Sequence, residues 1–293
     1  MAFNDLPPRP EPIFEAAIAY ADTVLQRSKD AAHSGALAFY ADLPFGPDYN
    51  QKVDVYAPLS VPNPLPVLMF LHGGAFIGGY KEWMGFMAPA IVATPALLVS
   101  VSYRLAPENP FPAPLEDTAA AVAWVYRNVS EYGGDPSRIF IGGHSAGGHL
   151  ASLVALDNRW LASHELPNKI INGVIAVSAP LDMDFDIDNP DDAAAINMRR
   201  VFVPREEDVA LANPMAHIKG QAPPFYLSVG DCDLWHLADD MIRFSAALRK
   251  AGGTVIDEVF PSHDHFDTST RCIEDDHPWL LRTRNFMRTG VPQ

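Results

Sequence analysis

Several runs in this chain are mostly apolar: VLMFLH (67–72), ALLVSVSY (96–103), RIFIGG (138–143), IINGVIAVSA (170–179) and PPFYLSVGD (223–231). A run without polar alternation reads as a strand buried on both faces, the condition of a parallel sheet covered by helices. Segments of helical length and spacing lie between them. PLEDTAAAVAWVYRNV (114–129) has Pro114 early and turns Ala119, Val122, Trp124 and Val125 inward. Residues 146–156, 236–251 and 278–288 are also expected to be helical. KVDVYAP (52–58) alternates and reads as a further strand, and TVIDEVFP (254–261) is the last one. Strands alternating with helices imply an α/β fold on a doubly wound, mostly parallel sheet. In such sheets ligands bind beyond the carboxyl ends of the strands.

A chain of 293 residues suits one large domain of this kind. The proline-rich opening forms an arm. Ile13, Phe14, Ala17, Ile18, Ala21, Val24 and Leu25 then share one stripe of a helix. Residues 1–40 are thus an arm and a helix, packed on the body or serving as a cap, and residues 41–293 form the main domain. The segment 181–220 breaks the rhythm and reads as a small helical insertion. Its LDMDFDIDNPDD matches a calcium loop in spacing only: the glycine such a loop needs is absent, so a solvated loop is expected.

The net charge of −15 sets the surface against nucleic acid phosphates and anionic membranes, so neither is expected as a partner. No apolar run approaches the length that spans a bilayer, and no signal peptide is visible at the start. A soluble cytoplasmic protein is expected. Cys232 and Cys272 do not form a disulfide framework.

The chemistry starts at GHSAG (143–147), a Gly-x-Ser-x-Gly turn between an expected strand and an expected helix. That setting is a nucleophile elbow: the tight turn needs small residues around Ser145 and pushes its hydroxyl above the sheet. A serine nucleophile creates an oxyanion, which backbone N–H groups must already face. Ala146 is one expected donor. HGGAFIGG (72–79), after the apolar run 67–71, supplies Gly74 and Ala75, with Gly73 beside them. A serine nucleophile also calls for a base to take its proton and an acid to orient that base. GDCDL (230–234), after a late strand, offers Asp231 and Asp233, and PSHDHFD (261–267), after the last strand, offers His263 and His265. A metal clip at those histidines has no evident third ligand.

HGGAFIGG, YRLAPENPFPAPLEDT (103–118), GGDPSRI (133–139) and GHSAGGHLA (143–151) together resemble the hormone-sensitive-lipase-like carboxylesterases of the α/β-hydrolase superfamily. Ala75 stands in the fourth place of a motif that usually reads His-Gly-Gly-Gly there, a change that keeps the backbone donor. FGPDYNQKVDVYAP (45–58), HGGA, GHSAGGHL and DHFD are also similar to arylformamidases such as kynurenine formamidase. The first 40 residues and 181–212 match neither. The resemblance implies an α/β-hydrolase fold. It selects Asp233, three places after the glycine, and His265, which directly precedes a phenylalanine.

The expectation is a cofactor-free, metal-free serine hydrolase acting on a small-molecule carboxylic ester or aryl amide. An arylformamidase, amide or carbamate hydrolase on the same triad is the alternative, and a non-catalytic ligand-binding protein the remote one. Phe76, Trp83, Phe86, Phe202 and Trp235 are candidate pocket residues. Whether the chain acts alone or as a homodimer stays open.

Overall fold

The computed structural model describes residues 3–8, 15–167, 169–185, 193–234 and 236–293. Its eight strands are β1 (Ala38–Pro44), β2 (Lys52–Ala57), β3 (Leu65–Leu71), β4 (Leu97–Val101), β5 (Gly134–His144), β6 (Ile171–Val177), β7 (Phe225–Gly230) and β8 (Val255–Phe260). They form one sheet in the order β1-β2-β4-β3-β5-β6-β7-β8. The pairings from β4 through β8 are parallel, whereas β1 and β2 join antiparallel at one edge. The mostly apolar runs are the parallel strands, buried as expected on both faces. Helices Ala113–Asn128, Ala146–Leu156, Leu237–Lys250 and Pro278–Thr289 fall within a few residues of their expected places.

The antiparallel edge departs from the sequence reading. β1 is not expected from the sequence: AFYADLP has no clean period, and its pairing shifts register between Tyr40 and Leu43. β2 alternates in sequence yet has no solvent face, since Asp54 and Tyr56 are fully buried. Buried Lys81 compensates the carboxylate. Its ammonium lies 2.8 Å from Asp42 and 3.0 Å from Asp54. Burial pushes Asp54 up to about 7, against the pull of Lys81.

The N-terminal helix α1 (Ala16–His33) buries Tyr20, Ala21, Val24, Ser28 and Ala31. Ile18, expected on the inner stripe, is exposed. Two residues are about 200° of helix turn, so burying Tyr20 turns Ile18 outward. The buried face includes polar groups with partners: Tyr20 Oη lies 2.9 Å from Ser269 Oγ, and Ser28 Oγ accepts from the Phe86 N–H at 2.7 Å. Hydrophobic spacing does not register such contacts. Ile13 and Phe14 lie outside the described residues.

Among the described residues, the 181–220 segment contains the helix Ala193–Phe202 and three short helical turns. Phe202 carries it onto the body: its ring stacks on Phe76 at 3.7 Å, and its carbonyl accepts from the Phe111 N–H at 2.8 Å. Asp186 and Asp188 lie outside the described residues. No helix among the described residues is long and apolar enough to cross a membrane.

Candidate active site

The sequence-derived site residues follow the carboxyl ends of four parallel strands. The loop from His72 follows β3, Ser145 follows β5, Asp233 follows β7 and His265 follows β8. Ser145 has φ 54° and ψ −123°, a left-handed backbone rarely tolerated outside glycine. Its N–H is held by the Val177 carbonyl at 2.8 Å. The close approach of the first two loops requires glycine. A Cβ on Gly147 would lie 2.3 Å from the Leu71 carbonyl oxygen, and one on Gly73 would lie 3.1 Å from the Ser145 Cβ. The 72–75 loop therefore presses directly on the elbow.

Ala75 and Phe76 also adopt positive φ, 53° and 63°. The turn closes through Ile77 and Gly78 N–H groups, which donate to the Gly74 carbonyl. The Gly73, Gly74 and Ala75 N–H groups donate to no partner among the described residues. The loop is fixed from behind by His72, which donates from Nδ1 to the Gly73 carbonyl at 2.7 Å and stacks on Tyr103. The Tyr103 hydroxyl donates to the His72 carbonyl. Burial pushes His72 down to about 4.

His265 and Asp233 meet: Nδ1 of the imidazole donates to Oδ1 of the carboxylate at 2.7 Å. Asp233 Oδ1 also accepts from the Leu234 N–H at 2.7 Å, while Oδ2 accepts from the Ser178 hydroxyl and, at 3.3 Å, the Gly230 N–H. Burial raises this carboxyl, but the bond and charge of His265, the Ser178 hydroxyl and the Leu234 N–H together bring it below its ordinary value. It is thus ionised near neutrality. The Ser145 hydroxyl bonds no group among the described residues; bonds of this kind tighten when substrate binds.

His144, directly before Ser145, donates from Nε2 to the His265 carbonyl at 2.8 Å. Burial, and then the neighbouring His265, push His144 down to about 3, so it braces the loop as a neutral ring. His263 points its chemistry elsewhere. Its Nδ1 donates to the Pro261 carbonyl at 2.8 Å, and its Nε2 meets His277 Nε2 at 3.2 Å. His277 Nδ1 accepts from the Trp279 N–H, so the His277 proton sits on Nε2 and faces His263. Asp231 is exposed and bonds the Phe260 carbonyl through its backbone.

Of the pocket candidates, Phe76 and Phe202 form the stack already described. Trp83 packs edge-on to Tyr20, and Phe86 lies under the Arg27 guanidinium of α1. Trp235 lies outside the described residues. A cavity of about 620 Å³ is lined by Phe185, Met198, Leu237, Arg243 and several carboxylates including Asp182 and Asp240, and by none of Ser145, Asp233 and His265. Both cysteines are free. No group of three His, Cys, Asp or Glu among the described residues could hold a metal ion. Sequence reasoning missed Ser178 and Thr268. IINGVIAVSA reads as strand throughout, which hides that its strand ends before Ser178.

Comparison with known proteins agrees with this fold. A sequence family described as alpha/beta hydrolase fold matches residues 68–266. The chain is 30% identical over 255 residues to esterase LipQ of Mycobacterium tuberculosis, covering 80% of this chain and 59% of LipQ. It therefore spans less than two thirds of that relative. A bacterial heroin esterase superposes with a TM-score of 0.74 at 26% identity, covering 95% of this chain and 93% of the other. The hyperthermophilic esterase of the archaeon Pyrobaculum calidifontis superposes with a TM-score of 0.78 at 21% identity, covering 95% and 93%. At that identity the likeness concerns the fold alone.

Proposed function

Because this chain belongs to the alpha/beta hydrolase family, we propose that it is a serine carboxylesterase that cleaves small carboxylic esters through Ser145, His265 and Asp233. The observation that carries the reading is the His265–Asp233 bond at 2.7 Å, in a loop whose carbonyl is held by the residue preceding Ser145. With Nδ1 committed to Asp233, Nε2 is the nitrogen left to take the Ser145 proton. The alkoxide attacks the ester carbonyl, and the oxyanion is met by the N–H groups of Ala146 and the Gly73–Ala75 loop. His265 returns the proton to the leaving alcohol. Asp233 fixes the tautomer and stabilises the imidazolium without taking the proton. Water, activated by the same histidine, releases the acid from the acyl-enzyme. No cofactor is needed in this scheme.

The relatives named above are esterases, which ranks an ester over an N-formyl aryl amide. The test compares short p-nitrophenyl esters, aryl carbamates and N-formyl aryl amides by kcat/KM, for the parent and Ser145→Ala. Esters are expected to lead, and Ser145→Ala to abolish turnover. Unchanged hydrolysis by the variant overturns the mechanism, and a lead for formamides overturns the substrate class.

A further inference from the structure

Positive φ in residues with a Cβ is costly and persists only where the surroundings over-determine it, so each instance asks for a reason. At strand ends this chain has Ala75 and Phe76 after β3, Ser145 after β5, Ser178 after β6 and Ser262 after β8. The first three belong to the oxyanion loop and the elbow. Ser262 sits exposed in a turn. Ser178, with φ 50°, is fully buried and has no part in the scheme above.

Its surroundings explain what holds it. The Ser178 N–H donates to the Ser228 carbonyl at 2.8 Å, which fixes the residue between the ends of β6 and β7. The hydroxyl then reaches Asp233 Oδ2, the oxygen that does not face His265. Without it, Oδ2 would keep only the long Gly230 N–H, in a side chain that is 2% exposed. The Thr268 hydroxyl lies 2.7 Å from Ser178 Oγ and 2.8 Å from the His265 carbonyl oxygen; with the Ser178 proton given to Asp233, the single Thr268 proton is shared between these two acceptors. It links the backbone of the base to the second support of the acid.

Resting on the triad reading, we propose that Ser178 is a positioning residue: its hydroxyl holds the Asp233 carboxylate with Oδ1 toward His265, and Thr268 is the strut that ties this support to the base. A donor to Oδ2 stabilises the carboxylate most while the imidazole is neutral. Its loss strengthens the hold of Asp233 on a protonated His265. The titratable neighbours of the pair are His144, whose ring lies 4.6 Å from that of His265, and Asp231, Cys232, His236, Asp264 and Asp267 on the two loops. The variants below leave all of them in place.

Ser178→Ala removes the hydroxyl and keeps the strained backbone, whereas Ser178→Gly removes the hydroxyl and relaxes the strain. Both are expected to move the acid limb of kcat/KM upward by about half to one pH unit. Both should lower kcat on the order of tenfold, with KM nearly unchanged. Thr268→Val should give a smaller shift of the same sign. The downfield Nδ1 proton of His265, followed by NMR without substrate, should titrate at correspondingly higher pH in both Ser178 variants. An unmoved NMR titration and acid limb overturn the proposal. So does a change in Ser178→Ala that is absent from Ser178→Gly, which would assign the effect to the turn. An inactive parent, by contrast, defeats the esterase reading and leaves the NMR titration to decide Ser178 on its own.

Discussion

One methyl group at Gly147 should disable the site while leaving every proposed reacting group in place. The Cβ of Gly147→Ala would lie 2.3 Å from the Leu71 carbonyl oxygen and 2.5 Å from that of His72. Ordinary contact begins at 3.4 Å, so the two backbones must part by 3.4 − 2.3 = 1.1 Å. Neither side yields cheaply. One is the end of central strand β3, and the other is the first turn of the buried helix Ala146–Leu156. The parting separates the two elements that carry Ser145 and the Gly73–Ala75 N–H groups. Overpacking of this kind costs about 1–3 kcal/mol, which lowers Tm by several degrees. A misplacement of about 1 Å costs roughly a hundredfold in rate. The assay is kcat/KM on p-nitrophenyl acetate beside a thermal melt, with Gly220→Ala as control, where the added Cβ meets nothing nearer than 3.4 Å. Activity should fall far more than stability. Gly147→Ala with the parent's kcat would refute the claim that the Leu71–Gly147 approach sets the oxyanion geometry.

Three further outcomes follow from named contacts. Asp233→Asn should lower kcat by about four orders of magnitude with little effect on the melt, because the amide favours the wrong His265 tautomer; a loss under tenfold counts against the assigned acid. Burial, and then the neighbouring His263, hold His277 below its ordinary value of 6.5. The unfolded chain therefore binds more protons in that range, and the stabilisation present above pH 6.5 is lost as pH falls through it. His277→Asn keeps an acceptor for the Trp279 N–H and cannot titrate, so its Tm should fall less between pH 7 and pH 5 than the parent's; parallel curves contradict this. Asp54 has the opposite sign. Its folded value, raised to about 7 by burial, makes the parent lose stability as pH climbs from 3.8 through 7. Asp54→Asn leaves Lys81 paired with Asp42 and Glu82, and its Tm relative to the parent should improve from pH 5 to pH 8; a constant difference counts against the buried charge.

The proposed reacting groups are legible in the sequence because each sits in a local pattern that carries its own reason. Ser145 needs small neighbours, the oxyanion donors need a glycine loop, and both needs are met within a few residues. The choice of Asp233 over Asp231 and of His265 over His263 is different in kind. Both members of each pair follow a strand, and only resemblance separates them in the sequence. In the structure the separation is physical: His263 is engaged by Pro261 and His277, and Asp231 faces solvent. What stayed hidden are contacts between residues far apart in the chain that break the hydrophobic pattern. Lys81 and Asp54 are charged yet buried, Ser28 is polar on the inner face of α1, and Ser178 is polar at the end of an apolar strand. Periodicity registers what water excludes and says nothing of a polar group that finds its partner inside.

The contacts behind the catalytic loops divide the work of the proposed site. The groups that hold the reacting loops are neutral: His144 on the His265 carbonyl, Thr268 between that carbonyl and Ser178, and Tyr103 on the His72 carbonyl. A cationic brace at the position of His144 would oppose the positive charge that must form on His265, and at close range in a buried site that opposition is large. Burial holds His144 down to about 3, so the brace is neutral near pH 7. The charge set directly against His265 comes from Asp233, which is kept ionised by donors on both of its oxygens. Position and charge are thereby supplied by different residues. Variants of the neutral braces should therefore act mainly through geometry, and variants of Asp233 or its donors through the pH profile as well.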